Sequence, residues 1–273
     1  MDWHKVTERM EYVSVDGSLI GVYHLGGGSR VVLLDVGAME CPEFLEDIKA
    51  RGLTVVAMLC SHLHFDHISS AGIIFDEFGC PGYASELEAL EEEFPTRYFD
   101  IIPISGTEPL IIEGERFEVI PTPGHTKGHL AFVTPEGICC VGDAFMSESV
   151  LRYAKVPYFD DVDKAIESME VIRESQCKGY LLCHEAMVWP EELDGLIDAN
   201  IDKELELYRM IREFVTEPIE MEELVTAFMK HCGIRSKAIL SSRGYRATVR
   251  VRIKSLLFNG ELRLEGGMVM PVV

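Results

Sequence analysis

The histidine-rich stretch Ser61-His62-Leu63-His64-Phe65-Asp66-His67 directly follows the apolar run Thr54 to Cys60. An apolar run of this length is typical of a β-strand that is covered on both faces. Residues two apart point the same way in an extended segment, so we expect His62 and His64 to face one metal ion. Asp66 and His67, where the chain turns into a helix, then face a second ion. The stretch therefore predicts a metal site at the end of a buried strand.

Three further places put an imidazole or a carboxylate at the end of a predicted strand. The segment Thr122-Pro123-Gly124-His125-Thr126-Lys127-Gly128-His129 contains the turn formers proline and glycine, which can project His125 at the same metal. Asp143 follows the apolar run Ile138 to Val141, and His184 follows Tyr180 to Cys183. Strand ends are the usual location of sites in layered α/β folds, so these residues are candidates for one common centre.

The order of these motifs resembles that of the metallo-β-lactamase-fold superfamily: His-x-His-x-Asp-His, Gly-His-Thr-x-Gly-His, Gly-Asp and a late histidine. The resemblance spans residues 31 to about 190. It implies an α/β (α+β) fold of the αββα sandwich type, with a dinuclear metal site at one edge. Carried over by the motifs, the ligands of the first metal are His62, His64 and His125, those of the second are Asp66, His67 and His184, and Asp143 bridges both.

The resemblance implies a metal-dependent hydrolase, closest by its metal-site motifs to the glyoxalase II and lactonase branch. Such an enzyme holds two divalent metal ions per chain, here expected to be zinc, with iron or manganese as alternatives. A hydroxide bound to the two metals attacks a small ester-like substrate. We expect a thioester or a lactone, with a phosphodiester as a further option. Asp66 is the predicted catalytic residue beyond metal ligation, because a carboxylate there can orient the hydroxide or carry a proton.

Two other functions stay open from the sequence. Persulfide dioxygenases have similar histidine and aspartate motifs but use a single iron, so a mononuclear non-haem iron oxidoreductase is one alternative. The other is nucleic-acid binding by residues 231 to 260, which contain seven basic and no acidic residues. In an otherwise acidic chain these basic residues can instead pair with the protein's own carboxylates, pair with a second subunit, or form a positive rim for an anionic substrate.

The chain is predicted to consist of two parts. Residues 1 to 216 show strands alternating with helices and form the metal-binding catalytic domain. In residues 217 to 273, three helical segments precede a hairpin across Gly266-Gly267, which suggests a small winged-helix-like module.

Composition limits the partners of the chain. It has 273 residues, a formal net charge of -21 and 47% hydrophobic residues. We find no apolar run long enough to cross a bilayer, and residues 1 to 12 do not show the pattern of a secretory signal. Its eight cysteines show no C-x-x-C spacing and read as reduced thiols, so we expect a cytoplasmic protein. We expect a small-molecule substrate and neither a membrane nor a nucleic acid as partner. A homo-oligomer is compatible with the sequence.

Several residues near the motifs allow two interpretations. Asp35 either orients a ligand histidine or caps a turn, and His129 is expected to have a structural or positioning role. Tyr153 and Tyr158 either contact a substrate oxygen or pack as ordinary aromatic residues. Cys183 beside His184 is not expected to be a nucleophile, because adjacent residues of a strand point to opposite faces.

Overall fold

The computed structural model describes residues 1–15, 17–37, 41–89, 99–184 and 187–272. Its strands are β1 Asp2–Lys5, β2 Met10–Val15, β3 Ser18–His24, β4 Arg30–Leu34, β5 Thr54–Leu59, β6 Gly82–Ser85, β7 Ile101–Ile104, β8 Leu110–Ile112, β9 Glu115–Pro121, β10 Leu130–Val133, β11 Ile138–Gly142, β12 Gly179–Leu182, β13 Met187–Val188, β14 Ile219–Glu220, β15 Leu262–Glu265 and β16 Met268–Pro271. Its helices are α1 Pro42–Ala50, α2 Phe65–Ile68, α3 Ala71–Phe78, α4 Glu86–Ala89, α5 Glu148–Tyr153, α6 Val162–Glu174, α7 Pro190–Phe214, α8 Met221–His231, α9 Lys237–Ser241 and α10 Arg243–Phe258.

Two mixed sheets form the centre of the molecule. The first has the order β1-β2-β3-β4-β5-β6-β7, with antiparallel pairing up to β4 and parallel pairing from β4 to β7. The second has the order β13-β12-β11-β10-β9-β8, in which β11 and β12 are parallel and the other pairs are antiparallel. The carboxyl ends of the parallel strands therefore meet at one edge of each sheet.

The side chains of β4 show why the sheets are covered on both faces. Val31 and Leu33 pack outward into a cluster that includes Phe44 of α1 and Ile74 of α3. Because successive side chains of a strand alternate, Val32 and neighbouring inward residues pack into a second cluster against Phe117 and Phe132 of the other sheet. A third cluster covers the outer face of the second sheet with α6 and α7. The predicted αββα layering is thereby confirmed.

The C-terminal residues add three helices and a small sheet with the order β14-β16-β15. The predicted hairpin is present, since Glu265 pairs with Met268 across Gly266-Gly267. Val249, Ile253 and Val269 of this region belong to the same buried cluster as α6 and α7. The hydrophobic core thus continues across the predicted boundary at residues 216 and 217.

Most predicted elements agree with the structure to within a few residues. The sequence interpretation missed β1, β2, β6, β7, β13, β14 and the short helix α5. The charged composition of Ser85 to Glu93 favours a helix; Glu86–Ala89 form α4, and residues 90–93 lie outside the described residues. In the described part of the chain, no helix combines the length and the apolar character that a bilayer crossing needs.

Candidate metal centre

The candidate residues of the first sheet follow two adjacent parallel strands. Asp35 comes directly after β4, and the segment with His62, His64 and His67 comes after β5. A backbone hydrogen bond of 2.9 Å from the Leu130 amide to the Ser61 carbonyl ties this segment to the second sheet. The two sheets therefore present their functional residues at a common edge.

The second sheet contributes the remaining residues. His125 lies in the turn between β9 and β10, and Asp143 and His184 follow the parallel strands β11 and β12. His184 is fixed by an isolated β-bridge to Ser18, and the neighbouring Cys183 carbonyl accepts a hydrogen bond of 2.6 Å from the Leu19 amide. Residues far apart in sequence thus converge because their strands end at the same edge.

His62, His64 and His125 form one group of imidazoles. Their nearest ring nitrogens all lie within 4.8 Å of one another. The His64 Nδ1 and His125 Nε2 atoms are 3.0 Å apart. The His62 ring is completely buried, and its Nε2 atom has no hydrogen-bond partner in the described part of the chain. Three ring nitrogens at these separations can all bind one metal ion.

Asp143 lies between this group and a second one. Its Oδ2 atom is 3.5 Å from His125 Nε2, whereas its Oδ1 atom is 3.5 Å from His67 Nε2 and 3.7 Å from His184 Nε2. Asp66 completes the second group, with its Oδ2 atom 3.5 Å from His184 Nε2. The seven candidate ligands predicted from the sequence therefore lie together, and Asp143, the predicted bridge, lies between the two groups.

The donor set fits divalent metal ions. Two donors at about 2.05 Å from a tetrahedral zinc lie about 3.4 Å apart, and the separations across Asp143 are close to that value. The buried Nε2 atoms of His62 and His67 make no hydrogen bond within the described residues, and a metal ligand would satisfy both. Imidazoles with carboxylates suit zinc, iron and manganese.

The Asp35 carboxylate contacts the His67 ring and is itself held by two hydrogen bonds from Ser61. The His67 Nδ1 atom lies 3.0 Å from Asp35 Oδ2, and the Ser61 amide and hydroxyl donate to the two carboxylate oxygens at 2.7 Å and 2.9 Å. Of the two interpretations of Asp35, the structure shows the contact with a candidate ligand histidine. Holding the far nitrogen of an imidazole fixes which nitrogen faces the metal.

Both ring nitrogens of His129 are engaged in hydrogen bonds to residues next to the two groups. Its Nδ1 atom lies 2.8 Å from the Thr122 hydroxyl, and its Nε2 atom accepts a hydrogen bond of 3.1 Å from the Asp143 amide. It therefore positions the backbone of Asp143. The close packing also explains Gly142, where φ is +52° and a Cβ atom would lie 2.4 Å from the Ser61 hydroxyl oxygen.

His125 is oriented by a backbone carbonyl. Its Nδ1 atom donates to the Tyr158 carbonyl at 3.0 Å, and the Tyr158 ring lies 5.5 Å from the His64 ring. The Tyr158 hydroxyl donates to Asp160 at 3.0 Å. Tyr153 is 64% exposed and lines the cavity beside the centre.

Burial and neighbouring charges set opposite protonation states in the centre. Burial holds the pKa of His62 well below its ordinary value and lowers that of His125 to about 4, which leaves their nitrogens free to bind a cation. Burial opposes a charge on His67, but the nearby carboxylates of Asp143 and Asp35 favour the charged ring, and the pKa of His67 is raised. The hydrogen bond between Asp66 and His184 lowers the pKa of the Asp66 carboxyl and raises the pKa of the His184 imidazole.

Cys183 lies closer to the centre than the sequence interpretation assumed. Strand β12 ends at Leu182, so the alternation argument does not apply to Cys183 and His184, and their donor atoms come within 4.8 Å of each other and of His67. Burial raises the pKa of the Cys183 thiol to about 11, which keeps it protonated near neutral pH. The thiol is therefore a poor nucleophile for a reason that only the structure supplies.

Glu88 is a supporting residue that the sequence interpretation missed. Its side chain is buried, accepts a hydrogen bond of 2.9 Å from the Gly128 amide, and lies 3.3 Å from the Leu63 amide. One carboxylate thereby links the two histidine-bearing segments. It lies in a stretch rich in glutamate, where no sequence signal distinguishes it from its neighbours.

A cavity of about 580 Å³ opens from the two groups of ligand residues. Its lining includes His64, Asp66, His125, Asp143 and His184. The side chains that line the rest are mostly apolar or aromatic: Met146, Val150, Tyr153, Ala154, Lys155, Val156, Pro157, Tyr158, Ile234, Ile239 and Tyr245. The C-terminal residues therefore contribute to the same cavity as the candidate centre.

Comparisons with known proteins agree with this architecture. The family profile described as the metallo-beta-lactamase superfamily matches residues 15–184. The chain is 32% identical over 148 residues to a probable metallo-hydrolase of Streptococcus pyogenes serotype M6, a match that covers 48% of this chain and 63% of that protein. It is 28% identical over 119 residues to the hydroxyacylglutathione hydrolase of Dechloromonas aromatica, covering 44% of this chain and 42% of that one.

Solved structures extend the likeness over most of the chain. A metallo-beta-lactamase family protein from Thermus thermophilus superposes with a TM-score of 0.70 at 17% identity, covering 95% of this chain and 96% of that one. At this identity the superposition shows the fold alone. The two sequence matches each span less than two thirds of the relative's length.

Proposed function

Because the chain belongs to the metallo-beta-lactamase superfamily, we propose that it is a metal-dependent hydrolase of a small ester-like substrate. A thioester or a lactone is favoured over a phosphodiester. The observation that carries the proposal is the convergence of histidines and aspartates from both sheets on one cavity, with Asp143 within 3.7 Å of three imidazoles. Similarity to a metallo-hydrolase and to a hydroxyacylglutathione hydrolase supports the same reaction class.

In this proposal two divalent metal ions, zinc by preference, are held by the two groups. His62, His64 and His125 would hold the first, Asp66, His67 and His184 would hold the second, and Asp143 would be the carboxylate shared between them. When bound, the two ions supply an acidified water as nucleophile near neutral pH and polarise the carbonyl of the substrate. Asp35 keeps the correct nitrogen of His67 turned to the cavity, and the Tyr158 carbonyl does the same for His125.

Asp66 is the proposed catalytic residue. Its side chain is 57% exposed and faces the cavity, so a carboxylate oxygen is available to orient the attacking water and to take up a proton. For a thioester, the water oxygen forms a bond to the carbonyl carbon and the carbon–sulfur bond breaks. One proton of the water passes to the departing thiolate, which gives a carboxylic acid and a thiol.

The cavity and the charge of the chain support the substrate class. Apolar and aromatic side chains dominate the walls beyond the ligand residues, which suits an acyl group better than a polyanion. The net charge of -21 also repels phosphate-rich polymers. A cytoplasmic location is part of the proposal, since Cys60, Cys139 and Cys140 are buried thiols in the core.

The test is a metal analysis combined with a substrate panel. Zinc, iron and manganese are quantified per chain in the wild type, in His62→Ala, and in His4→Ala, which removes an exposed histidine of β1. We expect about two metals in the wild type and in His4→Ala, and a clear loss in His62→Ala. Thioesters, lactones and phosphodiesters are then assayed with chelated and with reconstituted protein.

The outcomes separate the candidate functions. Metal-dependent hydrolysis of a thioester or lactone that is lost in His62→Ala supports the proposal. A single iron per chain with oxygen consumption on a persulfide would replace it with the oxidoreductase alternative. Metal-independent hydrolysis, or no hydrolysis of any ester after reconstitution, would contradict it.

A further inference from the structure

The cavity beside the candidate centre is lined by two chemically different sets of side chains. One set consists of candidate metal ligands, and the other includes Ile234, Ile239 and Tyr245 of the C-terminal region. Met146, Val150 and Val156 also belong to the apolar part of the lining. A volume of about 580 Å³ lies within the range of small-molecule sites.

The apolar wall is preformed. The Asn200 side chain of α7 holds the Met146 backbone from both sides, accepting from its amide at 2.8 Å and donating to its carbonyl at 2.9 Å. Met146, Val156 and Ile234 are each less than a tenth exposed and belong to the large buried cluster. A wall fixed by the core does not need to be ordered when a ligand binds, which favours affinity.

Ile239 is the residue of this wall that is best placed to contact a ligand. It lies on α9, is only partly buried, and packs against the same cluster from the edge of the cavity. The C-terminal region thus offers a branched apolar side chain to the cavity that ends at the candidate metal centre. An apolar group that fills this space gains by leaving water.

We propose that this cavity is an acyl subsite, and that the substrate is a thioester of an apolar acyl chain longer than four carbons. The inference rests on the proposed function and specifies its substrate. The carbonyl carbon lies at the end with His64 and Asp143, and the chain extends along Met146 and Val156 to Ile239. Each methylene that is buried raises binding by a factor of about four.

The experiment compares acyl chains on a common neutral leaving group. N-acetylcysteamine thioesters of butanoic and octanoic acid are hydrolysed by the metal-loaded protein, and the ratio of their kcat/KM values is measured. We expect the wild type to prefer octanoyl at least about tenfold, since full burial of four extra methylenes would give a still larger factor. Ile239→Asp should bring the ratio close to one.

A matched control and a binding measurement complete the design. Leu264→Asp introduces the same change at an exposed leucine of β15 outside the cavity, and it should keep the wild-type ratio. Calorimetry with the non-hydrolysable S-octyl and S-butyl thioethers of N-acetylcysteamine measures the subsite without turnover. The S-octyl compound should bind at least about tenfold tighter, and Ile239→Asp should remove this preference. Circular dichroism verifies that both variants are folded.

The outcomes distinguish the subsite from the reaction. Hydrolysis with equal rates for both chains in the wild type would overturn the acyl subsite and leave the proposed function intact. Absence of thioester hydrolysis, together with Ile239-dependent binding of the S-octyl thioether, would overturn the proposed reaction and retain the subsite. A chain-length preference that persists in Ile239→Asp, or that Leu264→Asp also abolishes, would contradict the assignment to this wall.

Discussion

A single carboxylate shows how backbone conformation and site geometry are coupled. Asp35 has a φ of +49°, a left-handed backbone conformation that residues other than glycine, asparagine and aspartate seldom adopt. This conformation brings its carboxylate to the Ser61 amide and the His67 ring. Gly37 permits the close approach that follows, because a Cβ atom there would overlap the Asp66 carbonyl oxygen.

The Asp35→Asn substitution tests this role. Asparagine tolerates the same backbone conformation, so we expect the fold to persist, but the negative charge facing His67 is lost. Removing such a supporting group weakens metal binding by about 10- to 100-fold. Competition with a chromophoric chelator measures the affinity of each site for zinc, and Asp76→Asn on the surface of α3 is the control. Unchanged zinc affinity in Asp35→Asn would contradict the assigned role.

The sequence could indicate the ligand residues but not all of their supports. His62 and His64 are two positions apart after a strand, and this local spacing suffices to predict that they lie together. Glu88 and Thr248 act through backbone amides and carbonyls that are distant in sequence. Nothing in their own neighbourhood marks such contacts, because they depend on how the sheets and helices are packed.

At the level of elements, helix α10 supports the loop that orients His125. The Thr248 hydroxyl donates to the Pro157 carbonyl at 2.9 Å and accepts from the Phe159 amide at 3.2 Å. The Tyr158 carbonyl between them accepts from His125 Nδ1. One hydroxyl therefore fixes both neighbours of the residue on which the imidazole depends. The basic helix predicted from sequence has a structural contact with the candidate site that its charge pattern did not reveal.

The Thr248→Val substitution separates this positioning role from ordinary packing. Valine keeps the shape but leaves the Phe159 amide unsatisfied and removes one of the two donors to the Pro157 carbonyl, which still accepts from Arg252, so we expect a loss of about 1 to 3 kcal/mol in unfolding free energy. Zinc affinity should fall about tenfold, as for other groups that support a ligand indirectly. Thr248→Ser should restore both values. Reduced stability with wild-type zinc affinity would leave Thr248 with a packing role alone.

Helices α8 and α10 are joined by an ion-pair network on the surface. Glu222 accepts from Arg246 at 2.5 Å and from Arg250 at 2.6 Å. These hydrogen bonds lower the pKa of Glu222 below its ordinary value of 4.5. Two of the seven basic residues in the segment 231 to 260 thus form ion pairs within the C-terminal region.

The Glu222 network predicts a pH dependence of stability. A depressed pKa in the folded state gives stability that is present above pH 4.5 and is lost as the pH falls through the folded value. Glu222→Gln should therefore lower the unfolding free energy at pH 7 by about 0.5 kcal/mol after solvent screening. The difference from wild type should disappear near pH 3. Urea unfolding at both pH values measures it, and Glu223→Gln, without an ion pair among the described residues, should show no such difference.

At the scale of the whole molecule, a buried ion pair joins the two predicted parts of the chain. Arg252 of α10 and Glu204 of α7 are 0% and 1% exposed in their side chains. The Arg252 guanidinium donates to both carboxylate oxygens at 2.7 Å and 2.8 Å, and to the Pro157 carbonyl at 3.0 Å. Since the hydrophobic cluster also crosses this junction, we expect both parts to unfold together.

A double-mutant cycle tests this coupling. Arg252→Met leaves the Glu204 carboxylate buried without its partner, so the free energy of unfolding should fall by about 3 to 5 kcal/mol. Adding Glu204→Leu should recover most of the loss, because an apolar pair of similar volume avoids the cost of burying charge. Urea unfolding followed by both far-ultraviolet circular dichroism and tryptophan fluorescence should give one coincident transition in every variant. A separate early transition in the wild type would mean that residues 217 to 273 unfold on their own, and the shared core would then not couple the C-terminal region to the metal-binding sandwich.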